Sequence, residues 1–479
     1  MTKTKISTKQ LLIWVALAAI AFTAFGFGGT RGVSFASALI FVLGVFMFLG
    51  KKEKMAKGDK KSFFIWVLPF AVFVLLISFG RFWSTYHYDA GAGSIRWFSY
   101  FIAALFNVLG VAGYAMVGHC LSLEENSEGK TKERLFEVIL CALALHVLIN
   151  LIITLANYGP FYRTLYAGKS YYYGSVEYPV ANERMILDGF TIATVSTQYG
   201  DISSFLLAVT LPSLLFISLK ENKIGFSIAA VSGGIGLLDL VLMPNHLALL
   251  LLIPVFSIAV FVRFVKTGIK TPLWEKIVCF AMLAMVAIVV FLMIGVAANG
   301  NNNYGPLSKI FNNGRLTQPI NQIINAVFKN NYAWNWKSIF FGMNVYSGYS
   351  PLSLKTSFWM QTEITWVNIN LHTFEFAALM EGGFIAFIAL CLFMASLFPM
   401  FRNHLRREEK ANPWVLISAV FVLGYFSYQS LLFTMFPYIY DVGLYVSAFS
   451  SNAFFYLTVL LIFFSYRKIY SLKKKGGVA

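Results

Sequence analysis

The stretch NINLHTFEFAALMEGG, residues 368–383, sets His372 between a polar segment and an apolar run. Imidazole titrates near neutrality, so a histidine at the mouth of a site suits general-base chemistry on a hydroxyl. The other reading of His372 is a hydrogen-bonded interfacial residue where the chain enters an apolar phase. Arg315, in NNGR at 312–315, precedes a helix signal in which Thr317 caps, Pro319 occupies the first turn, and Ile320, Ile323, Ile324, Val327 and Phe328 share a face. That pattern predicts a short amphipathic helix lying on a bilayer surface. A guanidinium beside a helix N-terminus combines a two-pronged donor with the helix dipole, which suits a diphosphate.

Further polar groups stand in apolar surroundings. Asp239, in LDLVLMPNHLALLL at 238–251, falls inside an apolar run, and an intramembrane carboxylate is a functional candidate by default. It lies about two helical turns before His246, so it either orients that imidazole or makes a plain inter-helix hydrogen bond. His146 and Asn150, one turn apart in another apolar run, read as a helix-packing contact. The segment 157–190 is dense in tyrosine and carries Arg163 and Arg184. Tyrosine rings stack on sugar faces, although membrane proteins also keep aromatic belts at the headgroup level. Tyr171, Tyr172 and Tyr173 are far from either flanking apolar run, which favours a groove. The two arginines are phosphate candidates or solvated cations.

The elements that must position these residues follow from composition. Hydrophobic residues make up 58% of the chain and charged residues 12%, with a mean hydropathy of +0.69. Soluble domains carry about 25% charged residues, so the expected class is an all-α polytopic membrane protein, one integral domain over 1–479. Apolar runs able to cross roughly 30 Å of hydrocarbon fall near 11–27, 34–49, 63–80, 97–117, 135–157, 199–219, 225–242, 247–263, 277–297, 382–401, 413–433 and 446–466. About twelve transmembrane helices are therefore expected. Lys3 to Lys9 and AIA at 19–21 give the first run a signal-peptide look, but an uncleaved helix keeps the later lysine loops on one side.

Cations orient the spans. With an internal N-terminus, one side of the alternation receives 27 of the 38 Lys and Arg residues, including KKEKMAKGDKK at 51–61, RNHLRREEK at 402–410 and the tail from Arg467. Both termini are then cytoplasmic by the positive-inside rule. The net charge of +17 reads as membrane topology and contact with anionic lipid, not nucleic-acid binding. Cys120, Cys141, Cys279 and Cys391 lie in or beside spans, so no disulfide framework is expected. Walker and dinucleotide-binding patterns are missing from the sequence, and no His/Cys/Asp/Glu spacing marks a metal site, so neither a metal nor a cofactor is expected. The two long connections, 158–198 and 298–371, become outer loops, and long ordered loops tend to be functional. The larger one separates the ninth and tenth spans and contains the amphipathic helix and Arg315.

The order NNGR, amphipathic helix, SIFFGMN at 338–344, and LHTFEFAALMEGGFIAF leading into a span resembles the loop of the O-antigen ligase and Wzy polymerase superfamily. These membrane glycosyltransferases use glycans carried on polyprenyl diphosphate. The resemblance implies that His372 acts on the acceptor hydroxyl and Arg315 on the donor phosphates, without a metal. Relatives usually have Asn after that histidine, where this chain has Thr373. They also carry a Ser-Arg pair at an earlier outer hairpin, where this chain has Asn245 and His246. A neutral imidazole does not supply a permanent charge, so either His246 is protonated there or Arg184 or another cation replaces the guanidinium. Glu363, Glu375 and Glu381 are candidates to fix the tautomer of His372.

The resulting expectation is a glycosyltransferase of the bacterial cytoplasmic membrane. It would polymerise undecaprenyl-diphosphate-linked oligosaccharide repeats into capsule, exopolysaccharide or O-antigen on the outer face. Its partners would be membrane lipids, a flippase and a chain-length regulator. Ligase-type transfer of the glycan to another acceptor is the alternative within the family. A lipid-linked glycan flippase is the alternative from another class, disfavoured by polar groups gathered outside and by the lack of a sequence repeat. The lysine asymmetry predicts that a thiol introduced by Asn302→Cys reacts with an impermeant maleimide in intact cells. Reaction only after permeabilisation reverses the orientation.

Overall fold

The computed structural model describes residues 8–25, 29–50, 57–79, 95–123, 130–158, 170–173, 176–179, 184–187, 190–194, 199–217, 219–220, 222–242, 255–262, 382–397, 417–423 and 456–465, with isolated positions at 273, 277, 281, 340 and 341. Seven helices occupy the first half: α1 (Thr8–Phe25), α2 (Gly29–Leu49), α3 (Lys57–Phe79), α4 (Ile95–Leu123), α5 (Lys130–Tyr158), α6 (Tyr199–Phe216) and α7 (Lys223–Leu242). Helical segments α8 (255–262), α9 (Gly382–Leu397), α10 (417–423) and α11 (Tyr456–Ser465) follow. All eleven coincide with apolar runs of the sequence. The run at 277–297 apart from positions 277 and 281, the amphipathic segment 317–328 and the whole of 342–381 lie outside the described residues.

Two of these helices, through Leu105–Ser122 and Arg134–Ile152, are long and apolar enough to cross a membrane. The others described are shorter in their apolar part, yet they expose large apolar side chains. Phe35 is 68% and Leu49 75% exposed on α2, and Ile224 and Val241 are exposed on α7. Helices apolar on both the packed and the open face suit an apolar surround.

Helix direction can be read from contacts. Ser37 lies against Gly110, Phe41 against Gly113 and Gly44 against Met116, so α2 and α4 run parallel. Tyr456 meets Gly110 while Leu460 and Phe464 meet Gly118, so α11 is parallel to α4 as well. Arg134 stacks its guanidinium 4.8 Å over the Trp14 ring, and the His146 ring nitrogen donates to the Phe25 carbonyl. These pairs are eleven and twelve residues apart along α1 and α5, which makes those helices parallel neighbours. Against α3 the direction reverses: Ile77 faces Gly382 and Phe70 stacks on Phe393, so α9 is antiparallel to α3.

These directions sort the chain ends. The start of α1, the end of α2, the start of α3, the end of α4, the start of α5, the end of α9 and the end of α11 share one end of the bundle. The lysine-rich segments 51–61 and 467–475 adjoin that end in sequence, and we refer to it as the lysine end. Gly382, where α9 begins, is at the opposite end.

Backbone proximity explains why α4 is central. A Cβ at Gly113 would sit 2.6 Å from the N and Cα of Phe41, and one at Gly118 would collide with the Leu460 carbonyl. Only glycine permits those approaches, and small residues at helix crossings let dispersion contacts accumulate where no hydrophobic effect drives association. The buried polar groups then pair across helices. Asn107 Nδ2 donates to Ser78 Oγ at 2.9 Å, Tyr456 Oη donates to Asn107 Oδ1 at 3.0 Å, and the Tyr456 and Tyr114 rings stack with centroids 5.1 Å apart. Tyr114 is hydrogen-bonded to Thr23 of α1, whose hydroxyl also reaches the Ala19 carbonyl at 2.9 Å. Four helices, α1, α3, α4 and α11, are therefore joined by one polar line inside an apolar core.

The segment expected as a tyrosine-rich outer loop contains strands. β1 (Ser170–Tyr173) pairs antiparallel with β2 (Val176–Pro179), and β3 (Arg184–Leu187) with β4 (Phe190–Thr194), with a register irregularity between Met185 and Ile186. The helical expectation describes the bundle and not this segment. The signal is local: the dipeptides Gly174-Ser175 and Asp188-Gly189 separate runs of β-formers in the sequence, and such dipeptides favour antiparallel pairing of the residues that flank them.

Gly113→Ala is expected to lower the thermal unfolding midpoint of the detergent-solubilised protein, with an overpacking cost of about 1–3 kcal/mol. Gly234, beside which an added Cβ meets nothing within 4 Å, should accept alanine without loss. Equal midpoints for the two variants would show that the α2–α4 crossing relaxes freely.

Candidate functional site

Asp239 is the one expected site residue whose side chain is described, and its surroundings are specific. The α6–α7 hairpin brings it there. Asn222 caps α7, its Oδ1 accepting from Gly225 N at 2.8 Å, so the helix begins immediately after the short connection from α6. Gly233 and Gly236 lie against Thr210 and Leu207, which keeps the two helices close along their length. At the end of the hairpin away from the connection, Ser203 Oγ donates to Asp239 Oδ2. Both residues are fully buried. On the other side of α6, Phe205 makes an edge contact with Phe421 of α10 at 4.7 Å, fixing the face that carries Ser203.

A buried carboxylate accepting from a hydroxyl is held in one rotamer and can hold or pass a proton at Oδ1 or Oδ2. Of the two readings open for Asp239, the structure supplies the inter-helix hydrogen bond, and its partner is Ser203. Sequence spacing gave no hint of Ser203, because the pair is separated by 36 residues and meets only through the hairpin. His246 lies outside the described residues, four residues beyond the end of α7, as does Asn245.

Two further expected residues have backbone positions. Tyr172 is in β1, opposite Glu177 of β2, and Tyr171 is opposite Tyr178. Arg184 opens β3 opposite Thr194, the last residue of β4. Thr194 is five residues before α6 begins, so the β3–β4 hairpin is tethered at the end of the α6–α7 pair that holds Ser203 and Asp239. β4 also touches α2. His372, Arg315, Arg163, Glu363, Glu375 and Glu381 lie outside the described residues.

His146 has the packing role expected of it. A carbonyl only accepts, so the ring donates from Nδ1 to the Phe25 oxygen, one of the carbonyls that a helix end leaves without an intrahelical partner. Phe25 and His146 also meet edge to face with centroids 5.5 Å apart. This histidine joins α1 to α5.

The class these features define is a helical protein with at least two helices fit to cross a membrane and buried polar pairs between helices. Comparison with protein-family models gives no match, and no curated protein matches the chain.

The Ser203–Asp239 pair is expected to be coupled. Ser203→Ala removes the donor from a buried carboxylate and should cost about 1–3 kcal/mol. Replacing both, as Ser203→Ala with Asp239→Leu, leaves no such carboxylate and should cost less than Ser203→Ala alone. Unfolding midpoints of these two variants and of Asp239→Leu alone measure this, and additive losses would remove the hydrogen bond from the account.

Proposed function

We propose that the chain is a polytopic membrane glycosyltransferase of about twelve spans that polymerises lipid-linked oligosaccharide repeats at the outer face of the bacterial cytoplasmic membrane. The observation that carries the reading is directional. α9 begins at Gly382, at the end opposite the lysine end, and His372 precedes it by ten residues in the sequence. By the positive-inside rule the lysine end would be cytoplasmic, which supports an outer position for the chain that leads into α9 and, with it, for His372 and Arg315. The start of the first described helix and the end of the last share the lysine end, which supports an even number of crossings.

In this reading an acceptor hydroxyl attacks the anomeric carbon of the donor sugar. His372 takes the hydroxyl proton as the oxygen–carbon bond forms, and the bond from the anomeric carbon to the diphosphate oxygen breaks. The leaving polyprenyl diphosphate carries away that electron pair, stabilised by the guanidinium of Arg315, with Arg184, Arg163 or a protonated His246 as further cations. Tyr172 and its neighbours on the β1–β2 hairpin offer rings to the glycan. Asp239 stabilises the hairpin that precedes His246.

Ligase-type transfer uses the same groups with a different acceptor. Purified enzyme supplied with lipid-linked repeats alone separates the two, since polymer without an added acceptor is the product of a polymerase.

His372→Ala should insert normally and slow the chemical step by about 10²–10⁴-fold, with single lipid-linked repeats accumulating and His372→Gln faring little better. Arg315→Lys should lose most activity although charge is retained, because one ammonium does not reproduce the guanidinium fork. Polymer yield per inserted molecule is the measurement. Near-normal yield from either His372 variant would reduce that residue to a packing role, and normal donor dependence in Arg315→Lys would remove Arg315 from the site.

A further inference from the structure

Among the described residues, an apolar cleft of about 340 Å³ opens between α3 and α4, bounded by the end of α2 and by α11. Phe70, Ala112, Met116 and Phe463 form its walls, and Phe48 closes one side with His119. His119 is its single ionisable lining residue, with its ring 6.3 Å from that of Phe48. The volume is within the roughly 300–1,000 Å³ of small-molecule sites, but the chemistry is restrictive. An ordered water needs two to four polar partners, which this lining does not provide. Phe48 and Leu75, both on the lining, are half exposed, so the cleft opens sideways where a bilayer would lie.

Its depth and position select the occupant. From His119 to Val108 the cleft follows α4 for eleven residues, about 16 Å at 1.5 Å per residue, or about half the hydrocarbon thickness. His119 is four residues from the end of α4 and Phe48 one residue from the end of α2, so the cleft starts at the lysine end and runs inward through one leaflet. The sequence next to those helix ends is one-sided in charge. Segments 51–61 and 467–475, adjoining α2, α3 and α11, carry +4 and +5, whereas 124–134, which follows α4, carries −1. Lys57, Lys60 and Lys61 belong to the first turns of α3 itself.

We propose that this cleft is a binding site for one acyl chain of an anionic phospholipid of the lysine-end leaflet, with the headgroup met by Lys57, Lys60 and Lys61 in the first turns of α3. The site includes none of the residues of the proposed glycan chemistry and needs only that the helices lie in a bilayer. The bound chain completes the packing between α3 and α4, whose contact is otherwise bridged by the Ser78–Asn107 hydrogen bond at the far end.

The test uses the full-length protein, purified in detergent, stripped of lipid, and given phosphatidylglycerol or phosphatidylcholine with identical chains, with bound lipid counted by native mass spectrometry. The unaltered chain should retain about one phosphatidylglycerol in preference to phosphatidylcholine. Ala112→Phe, which fills the cleft, should abolish that retention. Lys60→Gln and Lys61→Gln leave the cleft intact, and each should lower the preference for phosphatidylglycerol by about fivefold. Equal retention of the two lipids by the unaltered chain would overturn the proposal, as would undiminished phosphatidylglycerol on Ala112→Phe. Should Ala112→Phe fail to fold, the two lysine variants still decide the matter, because an unchanged preference in both refutes the charged mouth. Polymer formation is not read out, so the outcome is independent of the proposed enzymatic activity.

Discussion

The backbone of α4 approaches α2 so closely at Gly113 that no side chain fits between them, and most of the described bundle is arranged around that crossing. In an apolar surround, helices gain little by hiding apolar side chains from one another, so association rests on dispersion, interhelical hydrogen bonds and shape. Glycine at the contact brings the two backbones within reach of each other's atoms. The same helix meets α11 at Gly118, so α4 is clasped on two sides and the positions of α2 and α11 are tied together. Polar pairing follows from this placement. Tyr114 can reach Thr23 and stack on Tyr456, and Asn107 can bridge Tyr456 to Ser78, only because the helices are that near.

That arrangement gives the bundle two chemically different ends. At one, the first turns of α3 with Lys57, Lys60 and Lys61 begin beside an apolar cleft in which His119 is the single ionisable lining residue. At the other, α9 begins, and its upstream sequence carries the imidazole and guanidinium on which the proposed transfer depends. The α6–α7 hairpin has the same asymmetry on a smaller scale, with Lys220 and Lys223 at its connection and the Ser203–Asp239 bond at its open end. A carboxylate held by a neighbouring hydroxyl keeps the hairpin in register without adding a fixed positive charge. The cations of the proposed site come instead from the β3–β4 hairpin and from the longer loop.

The histidines show how little residue type alone decides. His146 stands inside an apolar run and His372 beside one, and either would satisfy a search for a base near neutrality. His146 is committed to the terminal carbonyl of α1, which fixes its tautomer and buries it between two helices. His119 lines the cleft beside Phe48. What distinguishes such residues is the atom each ring meets, and that depends on helix contacts far apart in sequence.

Sequence by itself determined the helical character and the places of the helices, because apolar runs of this length need every backbone amide and carbonyl paired within the segment. It also determined which loops are rich in lysine and where a carboxylate interrupts an apolar run. The two hairpins in 170–194 were legible as well, through Gly174-Ser175 and Asp188-Gly189, although tyrosine density drew the reading toward a loop. Tertiary structure alone decided that α4 is central, that Asp239 answers to Ser203, that Thr23, Tyr114, Tyr456, Asn107 and Ser78 form one line, and that a cleft remains beside His119. Each of those depends on which helix faces of an almost uniformly apolar chain meet. An apolar stripe that continues around the whole helix carries no periodic signal of its partner, so direction and pairing emerge only when glycine contacts and buried hydrogen bonds select one packing.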